Sequence, residues 1–507
     1  MDVYQNAQFQ PITLGSLLIE LDFITVQDEC VCQCYTYSCT TGIFFGNNQT
    51  CVLYSAYLWE GQLQLTTDNL SSVFTFSDSN TNNNSNNLPQ IIEWLFDGDF
   101  NDVYNRYNGN PVANNAITWI SPGYAGYGSA VYFQSTNYSL VNHYLNLTAT
   151  SFTISAWIYM PFINTAPTWS YFYLLSHCQT VVQDKCLHVA VSKGKLLLGF
   201  CTDDLVGSTT INTNQWYHVA YTYNRSTSEQ KVYLNGYLDG SRVSTGPYIG
   251  NPSVMIIGPL PYMSWVTDNN GYIDKIIFVP RIKSNDALLT EATLVAYYPF
   301  DNTYLDAGPN QINNLTTINT IFNPNGRFNQ ALVINSTNSS YLQTTGFYYL
   351  GKSNYTYSFS IWICPFTNNG TILQVSSPSG WCVPMIGFDT MGYLTVQTLG
   401  ESGFYSTSFN NETLPLNVWS HIGMTYSISN GIRLFVNGSL VNKNNLLFDY
   451  LASDEMTTIT IGTCLQSNQC SINATTIVLS QFQGQIDELK IFARELTNYE
   501  IHVLASE

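Results

Sequence analysis

The chain has 507 residues, only 10% of them charged, and its 16 Lys and Arg face 34 Asp and Glu for a net charge of −18. That length exceeds a single hydrophobic core, and at roughly 100–200 residues per domain it calls for several domains. So few cations cannot displace phosphate counterions or hold an anionic membrane, which argues against a nucleic-acid partner and a lipid surface. No run of about 18 apolar residues suggests insertion into a membrane.

Residues 1–77 form a cysteine-rich segment, with Cys30, Cys32, Cys34, Cys39 and Cys51 close together. The first residues lack a basic region, and the apolar stretch Ile12 to Phe23 is broken by Gly15, Glu20 and Asp22, so no signal peptide is read there. The chain is then expected to be a fragment, or to have a misplaced start. Residues 78–90 are rich in Asn and Ser, bury no apolar area and read as a linker.

After the linker the sequence repeats itself. Ser151-Phe-Thr-Ile-Ser-Ala-Trp157 returns as Tyr357-Ser-Phe-Ser-Ile-Trp362, and Trp216-Tyr-His218-Val-Ala as Trp419-Ser-His421-Ile-Gly. Val232-Tyr-Leu-Asn235-Gly236 returns as Leu434-Phe-Val-Asn437-Gly438, and Gly271-Tyr-Ile-Asp274 as Gly484-Gln-Ile-Asp487. The opening Phe96-Asp97 matches Phe300-Asp301. Blocks kept in order at so long a period are whole domains, read as 91–290 and 291–507. Each block alternates polar and apolar residues, the period of a strand with one buried face. Each Asn-Gly pair sits between two such runs and predicts a type I′ hairpin. Short helices are expected over 285–294 and 498–505. The fold class is all-β: two tandem antiparallel sandwiches of jelly-roll type, after a small cysteine-rich domain.

These blocks resemble laminin-G-like, concanavalin A-like jelly-roll modules, over residues 91–290 and 291–507. The second copy fits best, with Gln485-Ile-Asp487-Glu488-Leu489; the first departs at Lys275 and Ile276. The N-terminal Cys30, Cys34, Cys39 and Cys51 are similar to part of a PAN/apple module. The resemblance implies adhesion or ligand recognition, with glycans or extracellular proteins as partners.

Several residue sets are candidates for chemistry. Asp102, Asp274, Asp306 and Asp487 recur in both copies and could hold structural calcium; the alternative is turn chemistry, favoured for Asp97 and Asp301. Asp487 and Glu488 are adjacent, hence expected on opposite faces of a strand, which argues against a glycosidase pair. His218 and His421 read as core histidines beside Trp. No hydrolase, zinc-protease, phosphate-loop or dinucleotide motif is present, and the chain is read as non-enzymatic. Trp169, Trp265 and Trp381 sit in stretches where the copies diverge; each could stack on a sugar or pack down as a lid.

Twelve Cys and many Asn-x-Ser/Thr sites place the protein on the secretory route, as a secreted or cell-surface glycoprotein. Glycan acceptors are expected among Asn48, Asn137, Asn146, Asn224, Asn335, Asn354, Asn411 and Asn473. Disulfide candidates, beside the four N-terminal cysteines, are Cys178, Cys186, Cys364, Cys382, Cys464 and Cys470. Cys364 could tie to Cys382 and Cys464 to Cys470, with Cys201 available for a bridge to the N-terminal segment. The expected function is non-catalytic binding or adhesion. The alternatives are an accessory region of a larger glycosidase, sialidase-type enzyme or receptor, and a structural matrix component.

Overall fold

The computed structural model describes strands within residues 2–75 and most of 91–506; outside it lie 113–116, 125, 127, 134–137, 146, 149, 166–169, 179–181, 251–252, 259–266, 269, 336–338, 411, 445 and 466–474. The chain divides into two compact units, Asn80–Ala292 and Met1–Ser79 with Thr293–Glu507. Each unit holds one two-sheet antiparallel sandwich.

In the first sandwich one sheet runs in the order Thr118–Ile120, Ala130–Phe133, Gly271–Val279, Phe152–Tyr159, Trp216–Asn224, Glu229–Leu234 and Tyr237–Val243, with Ile92–Trp94 beside Gly271–Val279. The opposing sheet centres on Cys186–Ser192, Ser170–Cys178 and Ser253–Ile257. Ile154, Tyr221 and Ile273 from one sheet meet Leu174, Val189 and Met255 from the other in one apolar cluster. The second sandwich repeats this order with Ala331–Ile334, Gly484–Phe492, Tyr357–Pro365, Ser420–Ser427 and Gly431–Val436. Buried tyrosines cross each core: Tyr221 Oη donates to the Ala190 carbonyl, and Tyr357 Oη donates to Thr398 Oγ1. Each phenol thus brings a large apolar ring while its hydroxyl stays satisfied.

The alternation in the Trp strands predicts one buried face, yet Phe152–Ile158 and Tyr357–Pro365 are buried on both. The reason is a helix on the outer face of each sheet. Asn285–Thr293 covers Ala220 and Tyr233 with Leu288, and Asn498–Leu504 covers Phe435 with Ile501 and Leu504. Small polar residues serve there because they bond the covering chain. Thr153 Oγ1 donates to the Arg281 carbonyl and accepts the Lys283 N–H; Ser358 Oγ does the same with Arg494 and Leu496. The second helix starts at a capping box formed by Thr497 and Glu500.

Both Asn-Gly pairs form the expected turns, with φ of 50° and 82° at Asn235 and Gly236, and 47° and 77° at Asn437 and Gly438. Each Asn side chain accepts the N–H of the His on the neighbouring strand, His218 or His421. Each turn also touches its helix. A Cβ on Gly236 would lie 2.6 Å from Leu289 Cα, and one on Gly438 would lie 3.1 Å from His502 Cα. Gly236→Ala and Gly438→Ala are therefore expected to destabilise their own sandwich by about 1–3 kcal/mol in denaturant titration, with Gly236→Ala the worse.

Candidate functional site

One carboxylate in each copy organises the loop that follows the first strand. Asp102, 1% exposed, accepts the N–H groups of Glu93, Arg106 and Tyr107. Asp306 likewise accepts those of Tyr297, Gly308 and Ile312. Asp97 and Asp301 reach further than the turn chemistry expected of them. They accept Ser129 N–H at 2.7 Å and Gln330 N–H at 3.0 Å, in the loops 121–129 and 324–330. Asp274 and Asp487, on the last strand, hold the same loops from below. Asp274 accepts Tyr124 N–H, and Asp487 accepts the N–H groups of Arg327 and Phe328. The four candidate calcium residues thus spend carboxylate oxygens on backbone donors. Among the described residues no three His, Cys, Asp or Glu side chains are grouped to hold a metal ion.

The pinned loop covers the strand Trp. Tyr124 stacks on Trp157 with centroids 4.0 Å apart, whereas in the second copy Arg327 lies 4.4 Å over Trp362. Burial pushes the Asp274 carboxyl up to about 8, with the neighbouring Asp97 adding to it. Burial and the adjacent Glu488 charge push Asp487 up to about 9.

Asp487 and Glu488 do not point to opposite faces as the sequence suggests. A bulge falls at this place in both copies, with positive φ at Lys275 (51°) and Glu488 (52°). It turns both residues outward. Lys275 then pairs with Glu93 at 3.0 Å, and Glu488 accepts from Tyr297 Oη at 2.8 Å. Asp487 is 0% and Glu488 6% exposed, so both carboxyl groups are buried.

The histidines lie in the same covered layer. His421 Nε2 is 2.8 Å from Ser360 Oγ, and burial, then Lys490, lowers its ring to about 3, leaving it neutral. In the first copy Ser155 Oγ donates to Glu291 Oε1 at 2.6 Å, and Lys283 pairs with the other carboxylate oxygen at 2.8 Å. Burial alone would raise Glu291, but Lys283 and then His218 hold it below the usual carboxylate range. These networks lie beneath the helices.

The accessible feature is aromatic. At one end of the helix-bearing sheet of the first sandwich, four residues pair directly across four strands: Tyr132 with Tyr272, Tyr272 with Tyr159, and Tyr159 with Trp216. All four are half-buried. Successive centroids are 4.8, 5.7 and 5.6 Å apart. The row spans three strand spacings, roughly 14 Å. The exposed amides of Asn212, Asn214 and Gln215 lead into its Trp216 end. Sequence spacing does not bring these residues together; only the strand register aligns them. The second sandwich has Val333, Gln485 and Cys364 along the equivalent line.

A concanavalin A-like lectin/glucanase model matches residues 133–287 and 336–502, one span in each sandwich. The chain belongs to the concanavalin A-like lectin/glucanase superfamily. Among solved structures it is similar to domain 4 of a GH43 extracellular arabinanase from Geobacillus stearothermophilus, in complex with arabinotriose. That match has 22% identity, 42% of this chain, 98% of that one and a TM-score of 0.31. It is also similar to the binding domain of botulinum neurotoxin DC in complex with rat synaptotagmin II, at 12% identity, 80% of this chain, 94% of that one and a TM-score of 0.33. No curated protein matches in sequence.

Within this superfamily fold the remaining candidates separate. Trp381 packs down: its Nε1 donates to the Leu451 carbonyl at 3.1 Å, and its ring meets Tyr450 edge-on. Trp169 and Trp265 lie outside the described residues. Cys178 and Cys186 form a disulfide between neighbouring strands. Cys382 is also disulfide-bonded, but its expected partner Cys364 is a free thiol on the opposite sheet. Cys464 and Cys201 are free as well, against the bridges proposed for them. Burial raises the thiols of Cys364 and Cys464. Asn335 and Asn354 are exposed and Asn224 is half-buried. Cys30, Cys34, Cys39, Cys470, Asn48, Asn137, Asn146, Asn411 and Asn473 fall outside the described residues, and for Cys51 only its strand, Thr50–Tyr54, is described.

The pH response of the first sandwich follows from Asp274. Its folded pKa, about 8, lies well above the ordinary aspartate value of about 4. The native state then keeps a proton that the unfolded chain releases, so stability falls as pH rises from about 4 to about 8. Asp274→Asn keeps an oxygen for Tyr124 N–H and removes the titration. Its denaturation midpoint is expected to vary less between pH 5 and pH 8 than that of the parent protein.

Proposed function

We propose that the first sandwich is a non-catalytic carbohydrate-binding module that stacks sugar rings on Tyr132, Tyr272, Tyr159 and Trp216. The observation that carries this reading is the cross-strand register of four half-buried aromatics. Such a row is rigid, because each ring stands on a paired backbone, and it loses little side-chain entropy on binding. Its length suits an oligosaccharide better than a single ring. The amides at its end can read sugar hydroxyls as paired donors and acceptors. Aromatic rows also stack nucleic-acid bases. The net charge of −18 favours a neutral glycan over any polyanion. The working site is outside the cell, a setting supported by the exposed acceptor residues Asn335 and Asn354 of two Asn-x-Thr sequences.

A glycan array read with the full chain tests the proposal. Neutral oligosaccharides are expected to bind and sulfated ones to be disfavoured. Trp216→Ala with Tyr272→Ala is expected to weaken the best hit at least tenfold, about 1.4 kcal/mol, while thermal melting stays close to that of the parent. Unchanged binding in that variant would reject the row as the site. Binding is expected to survive EDTA, since the candidate calcium carboxylates already accept protein N–H groups; loss on chelation would return calcium to the mechanism.

A further inference from the structure

The second sandwich lacks the aromatic row but carries a cavity of about 320 Å³ at the edge of its opposing sheet. Gly400 and Tyr450 form an isolated antiparallel bridge, and Leu451 N–H donates to the Leu399 carbonyl. Glu401, in the turn that follows Gly400, and Asp449, which precedes Tyr450, both line the opening and are exposed. Two like charges lining one opening repel each other. Among the described residues neither acid has a basic partner that would relieve this.

The floor is aromatic. Tyr405 and Phe448 stack at 3.8 Å with their planes 6° apart, and a Cβ on Gly400 would meet both rings at 2.7–2.8 Å. The rings are therefore seated against backbone. The rim is apolar, with Ile428 44% and Leu447 67% exposed.

We infer that this cavity receives an arginine side chain presented by a protein partner. A guanidinium is flat and permanently charged, and it can stack on a ring while hydrogen-bonding two carboxylates. The methylene stem of the same side chain would lie along Ile428 and Leu447. Charge complementarity selects a cation, and the stacked aromatic floor favours a planar one. The site lies in the other sandwich from the proposed glycan row and stands independently of it.

Saturation-transfer NMR with the full chain tests the inference, using acetyl-arginine-amide, acetyl-citrulline-amide and free arginine as probes. Transfer to the methylene protons of acetyl-arginine-amide is expected. It should fall at least fivefold in Glu401→Gln with Asp449→Asn, and also in 0.5 M salt, roughly a threefold shorter screening length than at 0.05 M. Both acids are exposed, so the melting temperature of that variant should match or exceed the parent's. Equal transfer to the citrulline probe, or an undiminished signal in the double variant, would overturn the inference. Preference for free arginine over the capped amide would overturn the protein source of the side chain. Retained arginine binding in Trp216→Ala with Tyr272→Ala separates this site from the glycan row.

Discussion

Each sandwich depends on a loop held from two sides by carboxylates. Asp97 and Asp274 grip residues 121–129, and Asp301 and Asp487 grip residues 324–330. These loops carry the side chain that covers the outer-face Trp, Tyr124 in one copy and Arg327 in the other. Without that cover a large ring would stand in water at the middle of the sheet. A buried carboxylate costs desolvation, and here the return is backbone N–H groups satisfied at fixed points. Position rather than net energy is what these residues contribute. That explains why they recur while the covering residue changes.

The bulge on the last strand has a second consequence. It inserts Lys275 or Glu488 into the outer layer with positive φ, next to the loop-holding Asp. A charged residue in a buried layer needs a partner, and each copy supplies one from its first strand: Glu93 for Lys275, Tyr297 for Glu488. The signs differ, yet the geometry is the same. Such swaps are open to a duplicated chain only where both members of a pair change together, since one alone would leave a buried charge unmet.

Much of the fold was legible in the sequence because it rests on local chemistry. Asn235-Gly236 and Asn437-Gly438 announce their turns through the positive φ that both positions need. The Trp strands announce themselves by alternation, and the helix near 285–293 by its place after the last strand. The outer networks were not legible. Glu291 and Lys283 meet Ser155 only because a helix crosses the sheet, and no spacing in the sequence encodes that crossing. Asp487 and Glu488 were misplaced because alternation assumes a regular strand, and a bulge is a one-residue departure from it. The cysteine pairings failed for a related reason: Cys364 and Cys382 are near in sequence, but the sandwich puts their strands on different sheets. The aromatic row was hidden in another way. Tyr132, Tyr159, Trp216 and Tyr272 lie on four strands far apart in the chain, and only pairing register brings them into line.

The two copies diverge where the scaffold leaves them free. Inward positions such as Ile158 and Ile363, or Tyr223 and Tyr426, are tied to a packed core that admits little change in volume. At the half-buried end of the sheet, Tyr132, Tyr272 and Tyr159 face Val333, Gln485 and Cys364 in the other copy at little cost to either fold. Edge loops are freer still, and there the second copy places two unpaired acids over a stacked aromatic floor. Unpaired like charges do nothing for folding, and a row of half-buried rings leaves apolar area in water that burial elsewhere would remove. Features that the fold does not need, sited where the fold tolerates them, are the ones that a ligand can explain. The aromatic row and the acidic cavity meet that description in different sandwiches, so under the two proposals the duplicated scaffold would carry two different recognition surfaces.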